Sequence, residues 1–319
     1  MSRKAVIVGF DDYKHAKKLE GCVHDAKEIA RLLEWHEHTD DKQRNFDITL
    51  LTSGTHNYNR EYVRDKIETL FRDDRDVSLF YFSGHGYFEN TGGYLITPES
   101  ERGDQGISMT EIMLMANASP ATNRIIILDC CFAGGFGRNI LNEKLITISE
   151  GVTILAASTK DQFAKIKDKS GLFTSLLVHA LEGGAANLLG EVSAGNIYSY
   201  VDRAIGERGQ RPLYITSVKR YVNLKSIPAP IKRNELREIT KLFTNPDMEF
   251  ELDSSFEPKS KNPDPKNVEK FAILQKYNRV NLVVPVGVTH MYDAATEGKS
   301  CKLTALGKSY WYMVENNII

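Results

Sequence analysis

The residues best suited to chemistry in this chain are Cys131 and His85, 46 positions apart. Each follows a short apolar run. Val77-Ser78-Leu79-Phe80-Tyr81-Phe82 leads into Ser83-Gly84-His85-Gly86, and Arg124-Ile125-Ile126-Ile127-Leu128 leads into Asp129-Cys130-Cys131-Phe132-Ala133-Gly134-Gly135. Runs of this kind, rich in β-branched and aromatic residues and bounded by glycine, read as strands buried on both faces. In open α/β sheets catalytic groups gather just beyond the carboxyl ends of such strands. A thiol becomes an effective nucleophile when a base takes its proton. An imidazole on a neighbouring strand end can do this and then protonate the leaving amine. Gly86 removes side-chain bulk beside His85, so its N–H can face a developing oxyanion, with the Cys131 N–H as second donor.

Ser83-Gly84-His85-Gly86 with Asp129-Cys130-Cys131 resembles the signature of caspase-like cysteine peptidases, in which the His lies about 50 residues before the Cys. The resemblance is closest to the metacaspase branch, which reads S-G-H-G and D-x-C. Leu19-Glu20-Gly21-Cys22-Val23-His24-Asp25-Ala26 resembles a third metacaspase block, L-x-G-C-x-x-D-A, soon after the strand Ala5-Val6-Ile7-Val8-Gly9. The blocks keep their order, and the resemblance covers roughly residues 1–225. They imply a cysteine endopeptidase with His85 as base and Cys131, by the D-x-C pattern, as nucleophile. Cys130 falls where the family carries Ser or Cys. Side chains alternate along a strand, so Cys130 is expected to pack on the opposite side. Phe132-Ala133 departs from the His-Ser that often follows the metacaspase nucleophile, which leaves the primed side of the site open. Cys22 and Cys301 read as buried small hydrophobes. No Cys/His grouping has zinc-ligand spacing, so no metal is expected.

The same resemblance places Asp25, Ser83 and Asp129 around the side chain that precedes the cut bond. Two carboxylates there suit a cation, and bidentate pairing favours Arg over Lys. Classical caspases use arginines to cut after Asp, but no Arg stands in Leu19–Ala26 or beside either catalytic residue. The plainer reading of Asp25 is a carboxylate at the start of a helix over Ala26–Trp35. Family members often cleave themselves between nucleophile and late strand, and the loop Phe136–Glu150 offers Arg138 and Lys144. No cofactor is required by this chemistry. Many metacaspases respond to calcium, but the one local acidic cluster, Asp73-Asp74-Arg75-Asp76, reads first as a solvated turn.

The elements that must position these residues alternate strand and helix. Ile48–Thr52 reads as a strand and Tyr62–Phe71 as a helix. Tyr94–Pro98 is extended, and a helix from Ser108 begins with a cap and Glu111 three residues on. Gly151–Ser158 is a late strand and Gly171–Leu181 an amphipathic helix. Ser158–Gln162 falls where the family's substrate loop begins. The fold class is therefore α/β: a caspase-like, mostly parallel six-stranded sheet sandwiched by helices.

At 319 residues with a net charge of −1, the chain has room for this domain and a smaller one, and exerts no general pull on nucleic acid or anionic membrane. The N-terminus runs straight into a strand, and no stretch approaches transmembrane length, so a cytoplasmic location is expected. Residues 1–225 form the expected peptidase domain and 226–319 a C-terminal regulatory or sensor module. Its linker is read at 226–233, and a second proline- and lysine-rich linker at Phe256–Pro265. Residues 265–319 resemble a winged helix, read as helix Asn267–Tyr277, strand Val280–Val286, turn, strand Cys301–Ala305 and helix Lys308–Asn316. No basic recognition helix is evident, so the module is expected to receive a small molecule or partner protein rather than DNA. The whole resembles bacterial caspase-family proteins, some acting in antiviral defence or programmed cell death. The competing reading is a non-catalytic scaffold of the same fold acting through its C-terminal module.

Overall fold

The computed structural model describes residues 2–37, 42–54, 56, 58–89, 91–130, 148–157, 171–206, 212–219 and 221–319. It divides into two compact units, one of residues up to Asn187 with Glu191–Pro228, the other of Leu188–Gly190 with Ala229–Ile319.

The first unit is built on a six-stranded sheet of β1 (Arg3–Gly9), β2 (Asp47–Thr52), β3 (Val77–Gly84), β4 (Asn123–Cys130), β5 (Val152–Ala156) and β6 (Leu213–Ser217), in the order β6-β5-β4-β3-β1-β2. Every pairing is parallel except that of β6 with β5. The helices are α1 (Cys22–Glu34), α2 (Arg60–Arg72), α3 (Met109–Ala118), α4 (Leu172–His179) and α5 (Ala194–Ile205). Alternation along the strands feeds two cores. Phe80, Phe82, Ile126 and Leu128 pack with α2 and α3, while Leu79, Tyr81, Ile125 and Ile127 pack with α1, α4 and α5. β3 and β4 are buried along almost their whole length, which is why they read as unbroken apolar runs.

Helix α1 starts at Cys22, four residues before the expected Ala26. Gly21 holds φ +110°, a conformation that favours glycine. The first amides of the helix are satisfied from a distance: Cys22 N donates to Asp11 Oδ1 at 2.8 Å and Val23 N to Asp11 Oδ2 at 3.4 Å. α3 begins as the capping pattern implied, Ser108 Oγ accepting from Glu111 N at 3.4 Å. The acidic run before β3 is held locally. Asp73 pairs with Arg75 at 2.5 Å and Asp76 accepts from Ser2 N at 2.5 Å. Strand Asn223–Ser226 pairs with Glu191–Ser193 and belongs to the first unit, so Ser226 lies within an element rather than a linker.

The second unit carries an antiparallel sheet of three strands. Its elements are α6 (Arg233–Arg237), α7 (Ile239–Leu242), β7 (Glu249–Glu251), α8 (Pro265–Arg279), β8 (Val283–Val286), α9 (Met291–Thr296), β9 (Ser300–Leu303) and α10 (Ala305–Glu315), with β9 between β7 and β8. Its core draws on residues well before 265: Ile231, Leu236, Ile239, Phe243, Leu252 and Phe256 pack with Phe271, Leu274, Tyr277 and Trp311. Phe256–Pro265 is thus no free linker at its start, since Phe256 is buried against Phe250 and Phe271. The expected turn between the last two strands holds α9, whose Ala294 and Ala295 are fully buried. Tyr310 and Trp311 form the core face of α10, with Trp311 Nε1 donating to Phe243 O at 2.5 Å.

Candidate active site

Sheet register brings the candidate groups together. At the carboxyl ends, Ser83 of β3 lies beside Gly9 of β1 on one side and Asp129 of β4 on the other, and Gly84 lies beside Cys130. Alternation sorts them by face. Cys130 joins Phe82 and Leu128 in the α2–α3 core, on the side expected for a packing residue. Ser83 and Asp129 fall on the α1–α4 face. Cys131, Arg138 and Lys144 lie outside the described residues, as does Ser158–Gln162.

His85 is half-buried just beyond β3, and its surroundings come from the loop after β1. Its Nε2 lies 2.7 Å from the Lys17 carbonyl. A carbonyl only accepts, so Nε2 carries a proton and Nδ1 is left as the basic nitrogen. The His85 backbone N–H donates to the Tyr13 hydroxyl at 3.0 Å, and the two rings sit 4.7 Å apart. Burial pushes the Tyr13 phenol well above its usual range, so it stays protonated. Tyr13 also explains the first glycine of Ser83-Gly84-His85-Gly86, because a Cβ at Gly84 would stand 2.5 Å from the Tyr13 hydroxyl. Gly86 opens the hairpin of Gly86–Glu89 with Gly92–Leu95, so its backbone is fixed beside His85.

The block around Asp25 also acquires a physical reason. Gly21 supplies the turn into α1. Cys22 is linked to Ser83 by a side-chain hydrogen bond. Ala26 packs so closely on the end of β1 that a Cβ at Gly9 would fall 2.6 Å from the Ala26 Cβ. Asp25 is buried and faces the start of α4, where its Oδ2 accepts from Gly171 N at 3.3 Å. Asp129 meets the same turn: its Oδ2 accepts from the Thr174 hydroxyl at 2.5 Å, and Thr174 also offers its backbone N–H. Thr174 in turn accepts from the Tyr81 hydroxyl at 2.7 Å. Burial raises the Asp129 carboxyl above its ordinary value, and the Thr174 donors oppose that rise. Asp25, Ser83 and Asp129 are therefore brought together, with Cys22 among them. Cys22 is not the isolated packing residue expected from sequence. Burial pushes its thiol far up, with the carboxylates of Asp11, Asp129 and Asp25 adding to the effect, so it stays a neutral thiol.

Tyr13, Tyr81, Gly171 and Thr174 were not legible as site residues. Among the described residues no group of three His, Cys, Asp or Glu could hold a metal ion, and no helix is long and apolar enough to cross a membrane.

The caspase-domain family model matches residues 2–230. Among solved structures, a Geobacter sulfurreducens protein aligns with a TM-score of 0.52 at 15% identity, covering 71% of this chain and all of its own. Caspase-1 from Spodoptera frugiperda aligns with a TM-score of 0.50 at 13% identity, over 70% of this chain and 90% of its own. At such identities the likeness is one of fold. No curated protein matches in sequence.

Proposed function

The chain belongs to the caspase-domain family, and on that premise we propose that it is a metacaspase-like cysteine endopeptidase cutting proteins after basic residues, Arg before Lys. The observation that carries this reading is the convergence of Asp25 and Asp129 on the turn Gly171–Thr174, with Ser83 beside Asp129 in the sheet and His85, its Nε2 tied to a carbonyl, just beyond the same strand.

In the proposed reaction His85 Nδ1 takes the Cys131 thiol proton, and the thiolate attacks the scissile carbonyl carbon. The oxyanion receives the Gly86 and Cys131 N–H groups. Collapse of the tetrahedral intermediate expels the amine, which takes its proton from His85. Water, deprotonated by the same imidazole, then releases the acid and regenerates the thiol. The substrate's guanidinium enters between Asp25 and Asp129, where two carboxylates favour a cation and repel an acidic side chain. An intracellular peptidase of this kind has to be held in check. Residues 229–319 are proposed to receive the releasing signal, and cuts after Arg138 or Lys144 to accompany release, in a defence or cell-death setting.

Purified protein assayed with fluorogenic peptides ending in Arg, Lys, Gln or Asp, with and without extract of the native cell, tests this. Cleavage in the order Arg, Lys, then little else, lost in Cys131→Ala, is the expected result. Turnover of the Asp peptide, or none of any peptide even with extract, would sink it, the latter in favour of a scaffold.

A further inference from the structure

We propose that the first turn of α4 sets the specificity of this site: Thr174, backed by Tyr81, positions the Asp129 carboxylate, and Gly171 leaves room beside both carboxylates. The proposal rests on the reading of Asp25 and Asp129 as a pocket for a cationic side chain.

The geometry is a chain of donors running one way. The Tyr81 hydroxyl donates to Thr174 Oγ1 at 2.7 Å, and the Thr174 hydroxyl donates in turn to Asp129 Oδ2 at 2.5 Å. Tyr81 and Thr174 are both fully buried, so neither can exchange its partner for water. A threonine hydroxyl with its one proton committed to a carboxylate, and a lone pair filled by a tyrosine, has a single orientation. Asp129 is thereby fixed in direction, and the same donor favours its charged form against burial. At the same turn Gly171 N–H holds Asp25. A Cβ built on Gly171 would stand 3.1 Å from Asp129 Oδ2 and 3.7 Å from Asp25 Oδ2. The backbone there is unremarkable, at φ −64° and ψ 143°, so glycine is not demanded by conformation. What a side chain at 171 would do is crowd the two carboxylates.

Asp129 can bind a cation only when ionised. The titratable groups facing it among the described residues are Tyr81 from β3, and Cys22 and Asp25 from α1; α4 contributes only Thr174 donors. None of these is a cation, so the Thr174 hydroxyl is the main support of the charged form against burial. Removing it should move the protonation of Asp129 to higher pH.

The test compares wild type with Thr174→Val, Thr174→Ser, Tyr81→Phe and Gly171→Ala on Arg- and Gln-ended peptides across pH. Thr174→Val is expected to raise KM for the Arg peptide about tenfold with kcat little changed, tenfold being 1.36 kcal/mol of lost interaction. Its acid limb for the Arg peptide should shift to higher pH, and turnover of the Gln peptide should stay put. Thr174→Ser should restore both, Tyr81→Phe should show a weaker version, and Gly171→Ala should lose Arg cleavage selectively without shifting the acid limb. If wild type cleaves after Arg but Thr174→Val lowers both peptides alike, or shifts no limb, the positioning role is overturned while the basic pocket stands. If wild type prefers other residues or is inert, the pocket reading fails and this proposal fails with it.

Discussion

The two faces of the central sheet end differently, although the same two strands supply both. On the α2–α3 face the last side chains of β3 and β4 are Phe82 and Cys130, Gly84 having none, and both join an apolar core. One residue out of step, on the α1–α4 face, the same strands end in Ser83 and Asp129, and the helices that cover them bring Cys22, Asp25 and Thr174. The first face is stabilised by burying apolar surface. The second holds a half-buried carboxylate, Asp129, whose ionised form is disfavoured by desolvation, which costs stability at neutral pH. A twofold strand period is enough to separate a face that holds the domain together from one that can bind charge.

The sharpest break in this comparison is at the proposed dyad of His85 and Cys131. Cys131→Ala or His85→Ala should each lower peptide turnover by about three orders of magnitude or more, and the double variant little further, because nucleophile and base act as one unit. Steady-state kinetics on the preferred peptide measure this. An active Cys131→Ser beside a dead Cys130→Ser would move the nucleophile to the other face and reverse the comparison.

Asp129→Ala comes next. A desolvated guanidinium left without one of its partners loses several kcal/mol, so cleavage after Arg should fall by about two orders of magnitude or more. Cleavage after neutral residues should fall much less, and an Asp-ended peptide should remain uncut by wild type. The ratio of kcat/KM between Arg and Gln peptides is the quantity to follow.

A smaller effect is expected where His85 is held rather than where it acts. Gly84→Ala would push a methyl to within 2.5 Å of the Tyr13 hydroxyl and 2.9 Å of the Phe82 ring. Displacing Tyr13 removes the acceptor of the His85 N–H, so kcat should drop roughly tenfold, the scale of a hydrogen bond of about 1–1.5 kcal/mol. Tyr13→Phe should drop it by a similar or smaller factor. Combining the two should cost less than their product, because the clash is partly relieved when the hydroxyl is gone.

What could be read from the sequence follows the same division. β3, β4 and the glycines around His85 were legible because a doubly buried strand and a sharp turn leave local marks. The site's supports were not. Thr174 sits in Leu172-Phe173-Thr174-Ser175-Leu176-Leu177, which reads as an ordinary amphipathic helix, and its partner Asp129 is 45 residues away. Tyr81 looks like one more apolar residue of a buried strand. The start of α1 was misplaced because its cap, Asp11, is 11 residues upstream of Cys22 rather than next to it. In the second unit α9 is only six residues long, with no side-chain cap, and burial of its alanines rather than any local signal defines it.

The mildest test sets the two faces directly against each other through stability. Cys130→Ala removes a buried sulfur from the α2–α3 core and should cost about 1 kcal/mol, a Tm lower by roughly 2–4 °C for a domain of this size, with activity within about twofold of wild type. Asp129→Asn should do the opposite. The folded-state pKa of Asp129 lies above its ordinary value, so the native state holds this proton more tightly than the unfolded chain. Such a group destabilises the fold at neutral pH and ceases to do so as pH falls through the folded pKa and then the unfolded one. An amide keeps an oxygen that can accept from Thr174 and carries no charge to bury. Asp129→Asn should therefore raise Tm at pH 7.5 while losing Arg cleavage, and its advantage should shrink as the buffer is acidified toward pH 4. Thermal melts of wild type and both variants over that range read the effect. An Asp129→Asn protein less stable than wild type at neutral pH would mean that the carboxylate holds α4 in place more than it burdens the fold, and the contrast between the two faces would then be one of chemistry alone.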